Sequence, residues 1–506
     1  MTSYLYELPT TGAISFGDFL YDKSASYISE ISDTTEARAN LRAALKESKR
    51  TDEKDFLRLV KVLDDYIPKL CGIIAAVNAG EVVVKAEPIF SWRTTLSDTL
   101  FHSSPRLSVP SLAAELAFTL LTYAFALSNM ARAVVASLGA YEFERGISDA
   151  ERKVKDERLG FAVTLLCKAA GIFEYIAKEV IADWDAAREK AVAAGMQCPN
   201  PPDLSREVLI GLSKTALADA QNLAVRKLLT RAAFDSTVTP GPPLPKSHPS
   251  PALAAKLHLE CAALYSSARA LVKNPGASRP AVSPQSSKSK FRLGIGKDKS
   301  SSGGAQESSA DEVVPELRRY LADEVLLHQA LAHKWLGVDA GENTQQGAGT
   351  AVGFLDWARK DLDELRGGAS GVHIGVATDR ERDMREARKV RVQVEAESVG
   401  VFYKGYKRMN DSMSFQPVPP QADLQASIPA GRMAVTIRPY TRPVPAFGPG
   451  SPDYVQQYAE ALDALALEDQ SEDQTATPSP PPLPPAAAAT TSRAPVGNYA
   501  GAGSYF

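Results

Sequence analysis

The side chains best able to do chemistry in this chain are its six histidines: His102, His248, His258, His328, His333 and His373. A metal site or a general base needs such rings to converge with carboxylates or thiolates. His328 and His333 are five residues apart, which on a helix turns them to different faces, so the pairing of an H-E-x-x-H zinc site fails. The six read as ordinary helix-surface histidines. Cys71, Cys167, Cys198 and Cys261 are widely separated and contain no C-x-x-C pair. Gly294, Gly296 and Lys297 in LGIGKDKSSS glance toward a phosphate loop, but the G-x-x-x-x-G-K-[ST] spacing is absent and no strand pattern precedes it, so it reads as linker. There is no G-x-S-x-G and no Cys/His pairing with an orienting residue. No catalytic residue, metal ligand or cofactor-binding residue is assigned, no cofactor is expected, and an enzyme is the least favoured class.

Binding through surfaces is the alternative, and the elements that would carry it are helical. With 506 residues, 34 prolines and 44% hydrophobic composition, the chain can bury a large core and still have length left for a tail. Lys plus Arg number 57 against 60 Asp plus Glu; the net charge of -3 gives no global pull toward nucleic acid or an anionic membrane, and no nucleic-acid partner is expected. Scattered cysteines suit a reducing cytosol, and the first residues lack the basic and apolar regions of a signal peptide. Leu112 to Leu138 is apolar enough to question as a membrane span, but Glu115, Asn129 and Arg132 interrupt it, so it reads as a buried helix of a soluble protein.

Residues 1–30 read as an extended lead-in. Helical periodicity starts at Thr34 and runs to Val77, with Pro68 expected to kink or split it. Glu81 to Ile89 is short and β-prone. Ser111 is a plausible N-cap for a helix whose stripe includes Leu112, Leu116, Leu120, Leu127 and Leu138. Further helices are predicted over Asp156–Trp184, with Phe161 in its apolar stripe, then Ser205–Phe234, Pro251–Val272, Val313–Leu336, Gly353–Leu365 and Asp379–Arg408. The first four after Pro110 are apolar on more than one side, as helices sandwiched between others must be. Stacked helical pairs in the manner of a solenoid follow, although no repeat of fixed period is present.

Two stretches break the pattern. Residues 274–311 are rich in Ser, Gly, Pro and Lys and read as a disordered insertion whose basic run, Lys288, Lys290, Arg292, Lys297 and Lys299, is most simply solvated linker. At RMNDSMSFQPVPP, Asn410 and Asp411 are poor helix formers and Pro417, Pro419 and Pro420 cannot donate hydrogen bonds, so the helical body stops and a tail leaves it. After a short helix predicted at Tyr454–Leu467, the last residues cannot bury enough apolar surface to fold; Pro480-Pro-Pro-Leu-Pro-Pro offers a polyproline II ligand for an SH3- or WW-type groove.

Five blocks in fixed order give the chain a likeness: FSWRTTLSDTLF (Phe90 to Phe101), SLAAELAFTLLTYAFALSNMARAV, LGFAVTLLCKAAGIFEYIAKEVI, TALADAQNLAVRKLL and ALAAKLHLECAALYSSARALVK. With these the chain resembles the Bro domain family of Alix-like scaffolds, and PTTGAISF and RMNDSMSFQPVPP resemble its fungal pH-response branch. The resemblance implies an all-α, curved Bro-type domain over residues 1–440 with a tetratricopeptide-like solenoid core, and a largely disordered Pro-rich tail over 441–506. It further implies a cytoplasmic adaptor, recruited to plasma-membrane-associated or endosomal sites, that binds the C-terminal amphipathic helix of an ESCRT-III filament subunit. Contact with other pH-signalling components, peripheral membrane recruitment and processing of a zinc-finger transcription factor belong to the same implication. The resemblance also implies that an aromatic anchor of the binding patch, as in the family's animal members, falls in the third helix; here Ala224 stands at that position, among Leu223, Val225, Leu228 and Leu229, and Pro240 to Pro251 replace a segment that supplies further patch residues. A structural solenoid in vesicle trafficking or endosomal sorting, binding through surface charge, is the competing reading.

Overall fold

The computed structural model describes residues 3–51, 54–97, 105–144, 146–273, 313–343, 347–368, 379–457 and 459–460. His102, His373, the whole 274–311 insertion with its basic run, and the Pro480 motif lie outside them. Two compact units divide the chain, Met1–Ser451 and Pro452–Phe506. In the second, residues 452–457 are helical and the end of the helix expected at Tyr454–Leu467 lies outside the described residues.

The first unit is a row of helices in which each packs on its neighbour in sequence: α1 (Ile28–Arg50), α2 (Phe56–Asn78), α3 (Leu112–Leu138), α4 (Asp149–Tyr175), α6 (Arg206–Val238), α7 (Pro251–Lys273), α8 (Pro315–Asn343), α9 (Ala348–Gly368) and α10 (Asp379–Met409). Short α5 (Ile181–Ala193) continues α4, and α11 (Gln421–Ala426) packs on α9. This is the expected all-α solenoid of helix pairs. Two small antiparallel ribbons brace its first third: β1 (Leu20–Asp22) with β2 (Val82–Val84), and β3 (Ile89–Arg93) with β4 (Arg106–Pro110), registered Leu20 to Val84 and Ile89 to Pro110.

Local chemistry sets the boundaries. Asp55 accepts from the Arg58 amide (2.8 Å) and starts α2. Consequently the helical run breaks before Pro68, not at it: α2 passes through Pro68 without a break, and the Pro68 carbonyl accepts from the Ala446 amide (3.0 Å). Ser111 caps α3 as expected, accepting from the Ala113 amide (3.0 Å). The Asp156–Trp184 helix is longer at both ends. A Ser148/Glu151 capping box starts it at Asp149, and a π turn at Ile176–Val180 lets it run on into α5.

α3 is apolar and long enough to cross a membrane by composition, and it is buried inside the helical stack. Its Glu115 lies fully buried and takes Arg38 Nε (2.8 Å), Tyr66 Oη (2.9 Å) and Trp92 Nε1 (2.7 Å), tying α1, α2 and β3 to α3. Trp92 of the FSWR motif is thus a packing and bonding residue, stacked on Phe118.

The chain after α10 does not leave the body. Past a π turn at Asn410–Ser414 it runs back over the row as an extended strap. The Arg432 amide donates to the Lys256 carbonyl (3.0 Å) on α7, the Arg438 amide to Cys167 (3.1 Å) on α4 and the Ala446 amide to Pro68 on α2. Phe447 ends the strap against Gly72, where a Cβ would come within 2.8 Å of its ring. The compact body therefore extends to Ser451 and not only to 440.

Candidate protein-binding surface

α6 is the helix on which the strap, the core and the expected partner site meet. It packs between α4 and α7, and a 33-residue helix held that way buries most of its length. Several of the buried residues are polar, and two of them tie α6 to its surroundings. Arg226 makes a two-pronged ion pair with Glu142 (2.8 and 2.9 Å) below α3. Gln221 turns outward to the strap: its Nε2 donates to the carbonyls of Arg432 (3.0 Å) and Leu257 (3.0 Å), and its Oε1 accepts from the Ala434 amide (2.9 Å).

That contact fixes which face of α6 is in play. Residues 221, 224 and 228 fall on one face of a 3.6-residue helix, as do 160, 164, 167 and 171 on α4. The strap crosses at Gln221, Cys167 and Gly171, where a Cβ would overlap the Arg438 carbonyl oxygen. Beyond the crossing, Ala224 and Leu228 remain half-buried, and Lys227 lies over Gly160. The result is a shallow strip running beside the strap across α4 and α6.

Of the residues expected at a partner site, Leu223 and Val225 are buried in the body, Ala224 and Leu228 lie on the strip, and Leu229 is half-buried against the core formed by α7, α8, α9 and α10. Phe161, expected in the core stripe of α4, is 46% exposed and flanks Gly160. The period-based reading misplaced it because a stripe on a helix buried on two sides does not mark which aromatic is left at the rim. Gln221 was missed altogether. Its signal is the set Asp219, Gln221 and Asn222 inside an apolar stretch of a helix buried on two sides, where polar side chains are tolerated only with partners.

A polar seam runs under the same helices. Asp219 accepts from Tyr265 Oη (2.6 Å) and Tyr320 Oη (2.7 Å), and burial pushes its carboxyl up to about 7. His258 and His328 meet Nδ1 to Nδ1 at 3.0 Å, an arrangement in which one neutral ring donates to the other. Burial pushes His258 down to about 3 and His328 well below its ordinary range. Arg391 pairs with Glu324 (3.0 Å), Lys334 with Glu395 (2.9 Å) and His333 with Asp361 (2.9 Å). The surface histidines expected from the sequence are thus interior at positions 258, 328 and 333, where each ring meets a partner on an adjacent helix through its Nδ1. Among the described residues no cluster of His, Cys, Asp and Glu has the arrangement of a metal site.

Residues 17–461 match the BRO1-like domain family. The chain belongs to that family. Among BRO1-like proteins it is 40% identical over 473 residues to the pH-response regulator protein palC of Cryptococcus neoformans var. neoformans serotype D, covering 89% of this chain and 93% of the relative. The palC protein of Yarrowia lipolytica is 24% identical over 470 residues, covering 87% and 94%. Solved BRO1-like structures share the fold. The ALIX BRO1 CHMP4C complex superposes with a TM-score of 0.54 at 17% identity, over 88% of this chain and 98% of that one. ALIX in complex with the SIVmac239 PYKEVTEDL late domain gives 0.55 at 17% identity over 92% of this chain, which spans about half, 53%, of that longer ALIX chain.

Proposed function

We propose that this BRO1-like chain is a non-enzymatic adaptor of ambient-pH signalling that binds the C-terminal amphipathic helix of an ESCRT-III filament subunit on the strip beside the strap. The likeness to palC proteins along nearly the whole chain carries the signalling role. What supports the binding mode is that Ala224 and Leu228 share one half-buried face of α6 and that Phe161 stands exposed on the neighbouring α4, apolar positions along which a partner helix would lay its i, i+3, i+4 and i+7 side chains. Alanine at position 224 leaves room for a bulky partner side chain where an aromatic would fill the track. Docking would recruit the adaptor to filaments at plasma-membrane-associated or endosomal sites, and processing of a zinc-finger transcription factor would follow from that recruitment.

Titration calorimetry of the full chain with the filament subunit's C-terminal helix as a peptide tests the reading. One-to-one saturation is expected, weakened about tenfold or more by Leu228→Glu in a protein that keeps its helical circular dichroism. Leu223→Glu, which places a charge in the core, is expected to unfold the chain instead. Absence of binding by the folded wild-type chain, or binding unchanged by Leu228→Glu and Phe161→Ser together, refutes the site.

A further inference from the structure

The turn at the end of α10 presents apolar side chains to solvent from a backbone that is anything but loose. Met413 is 77% exposed and Phe415 76%, and Val418 beyond them is half exposed. The turn that carries them is closed by Asn410, itself buried: its Nδ2 donates to the Gln416 carbonyl (3.0 Å), its Oδ1 accepts from the Gln416 amide (3.0 Å), and its own carbonyl accepts from the Phe415 amide (2.8 Å). Phe415 sits in the left-handed region at φ 46°, which an aromatic residue adopts only where its surroundings impose it. Ser412 Oγ bonds back to the Arg408 carbonyl (2.7 Å), and the Gly349 amide on α9 donates to Gln416 Oε1 (3.3 Å).

Rigid exposure of large apolar groups costs hydration free energy that a buried rotamer would recover, so the arrangement calls for an occupant. Both side chains are more than three-quarters exposed, and a fluid bilayer accepts such groups without a matching groove. Their electrostatic surroundings agree. Lys404, Lys407 and Arg408 are exposed on the last turns of α10; Lys404 and Arg408 lie one turn apart on one face, and Lys407 is paired with Asp411 (3.0 Å). We propose that Met413 and Phe415 form a membrane-insertion knob that enters the headgroup–acyl boundary of an anionic bilayer while Lys404 and Arg408 contact lipid phosphates. The chain's near-neutral overall charge makes such contact local and reversible.

Sedimentation of the full chain with phosphatidylcholine vesicles, with and without phosphatidylserine, tests this. The wild type is expected to bind the anionic vesicles, to release as salt is raised, and to lose about tenfold or more of its partitioning in the Met413→Ser, Phe415→Ser double variant. Lys404→Glu with Arg408→Glu should remove the preference for phosphatidylserine, whereas Ile28→Ser, which trims an exposed apolar residue elsewhere, should change nothing. A Phe415→Trp variant adds a direct readout, a blue shift of the new indole on adding anionic vesicles. Failure of the wild type to bind either vesicle, or sedimentation of the double variant like the wild type, overturns the assignment and hands the knob to a protein groove.

Discussion

Gln221 pairs with Ala434 as one strand pairs with another: its amide accepts from the Ala434 N–H and returns a donor to Arg432, so a side chain on α6 does the work of a backbone. Asn129 holds Tyr6 in the N-terminal lead-in the same way (2.8 and 2.9 Å), and Asn410 holds Gln416. Extended segments have unpaired backbone groups, and in an all-helical body only side-chain amides can supply a donor and an acceptor at that spacing. Gln221→Ala should therefore strand the strap amide at 434 and the carbonyl of Arg432, costing about 1–3 kcal/mol. Hydrogen exchange at Ala434 should accelerate well beyond that of α6; equal acceleration everywhere would mean only global destabilisation.

Glu115 is the second such hub. With Arg38, Tyr66 and Trp92 all directed at one carboxylate, Glu115→Ala leaves a buried guanidinium without its partner, and a loss of about 3–5 kcal/mol is expected in urea unfolding. Arg38→Met with Glu115→Leu, which removes both charges, should recover much of that loss. No recovery would show that the remaining Tyr66 and Trp92 donors, not the charge, set the cost.

Where one physical cause dominated, the sequence was readable. Helix periodicity located the long helices α3 to α10, Ser111 announced its cap, and Asn410 to Pro420 marked where the helical row ends. What failed had its cause in contacts distant along the chain. Pro68 sits in an unbroken helix and its carbonyl is a docking point for the amide of residue 446, and His258 and His328 are interior, each meeting the other across α7 and α8. The return of the strap was illegible for the same reason: prolines say that a segment is extended, not where it lies. At the candidate site, the resemblance pointed to α6, but burial alone separates Leu223 and Val225 from Ala224 and Leu228.

Interior ionisable groups make stability depend on pH in two opposed directions. Asp219, with its folded pKa raised to about 7, binds a proton in the native state before the unfolded chain does, so acidification from pH 7 favours folding; Asp203, raised by burial to about 6, adds to this. His258, with its folded pKa near 3, stays neutral while the unfolded ring takes a proton below about 6.5, so the same change disfavours folding by about 2 kcal/mol at pH 5. In the wild type the two directions oppose each other between pH 7 and 5, with Asp219 and Asp203 on one side and His258 and His328, both held neutral by burial, on the other. Asp219→Asn should lose stability as the pH falls through that window and His258→Gln should gain it, as read from urea midpoints; parallel profiles for the two variants would refute the assignment.

Two glycines on the same face of α4 separate the strap from the open strip. A Cβ at Gly171 overlaps the Arg438 carbonyl oxygen, a backbone atom pinned by the Arg438 amide on Cys167, and neither side has room to move. A Cβ at Gly160 meets only Lys227 Nζ at 3.2 Å, the free end of a flexible side chain. Alanine is favoured over glycine in a helix by about 0.5–1 kcal/mol, so Gly160→Ala should leave stability unchanged or raise it by that amount. Gly171→Ala should lift the strap, open the 427–447 segment to protease and lower the melting temperature, while α4 itself keeps its helical signal. If limited proteolysis cuts both variants at the same rate, the strap is not held by its approach to Gly171, and the bonds to Gln221 and Pro68 must suffice.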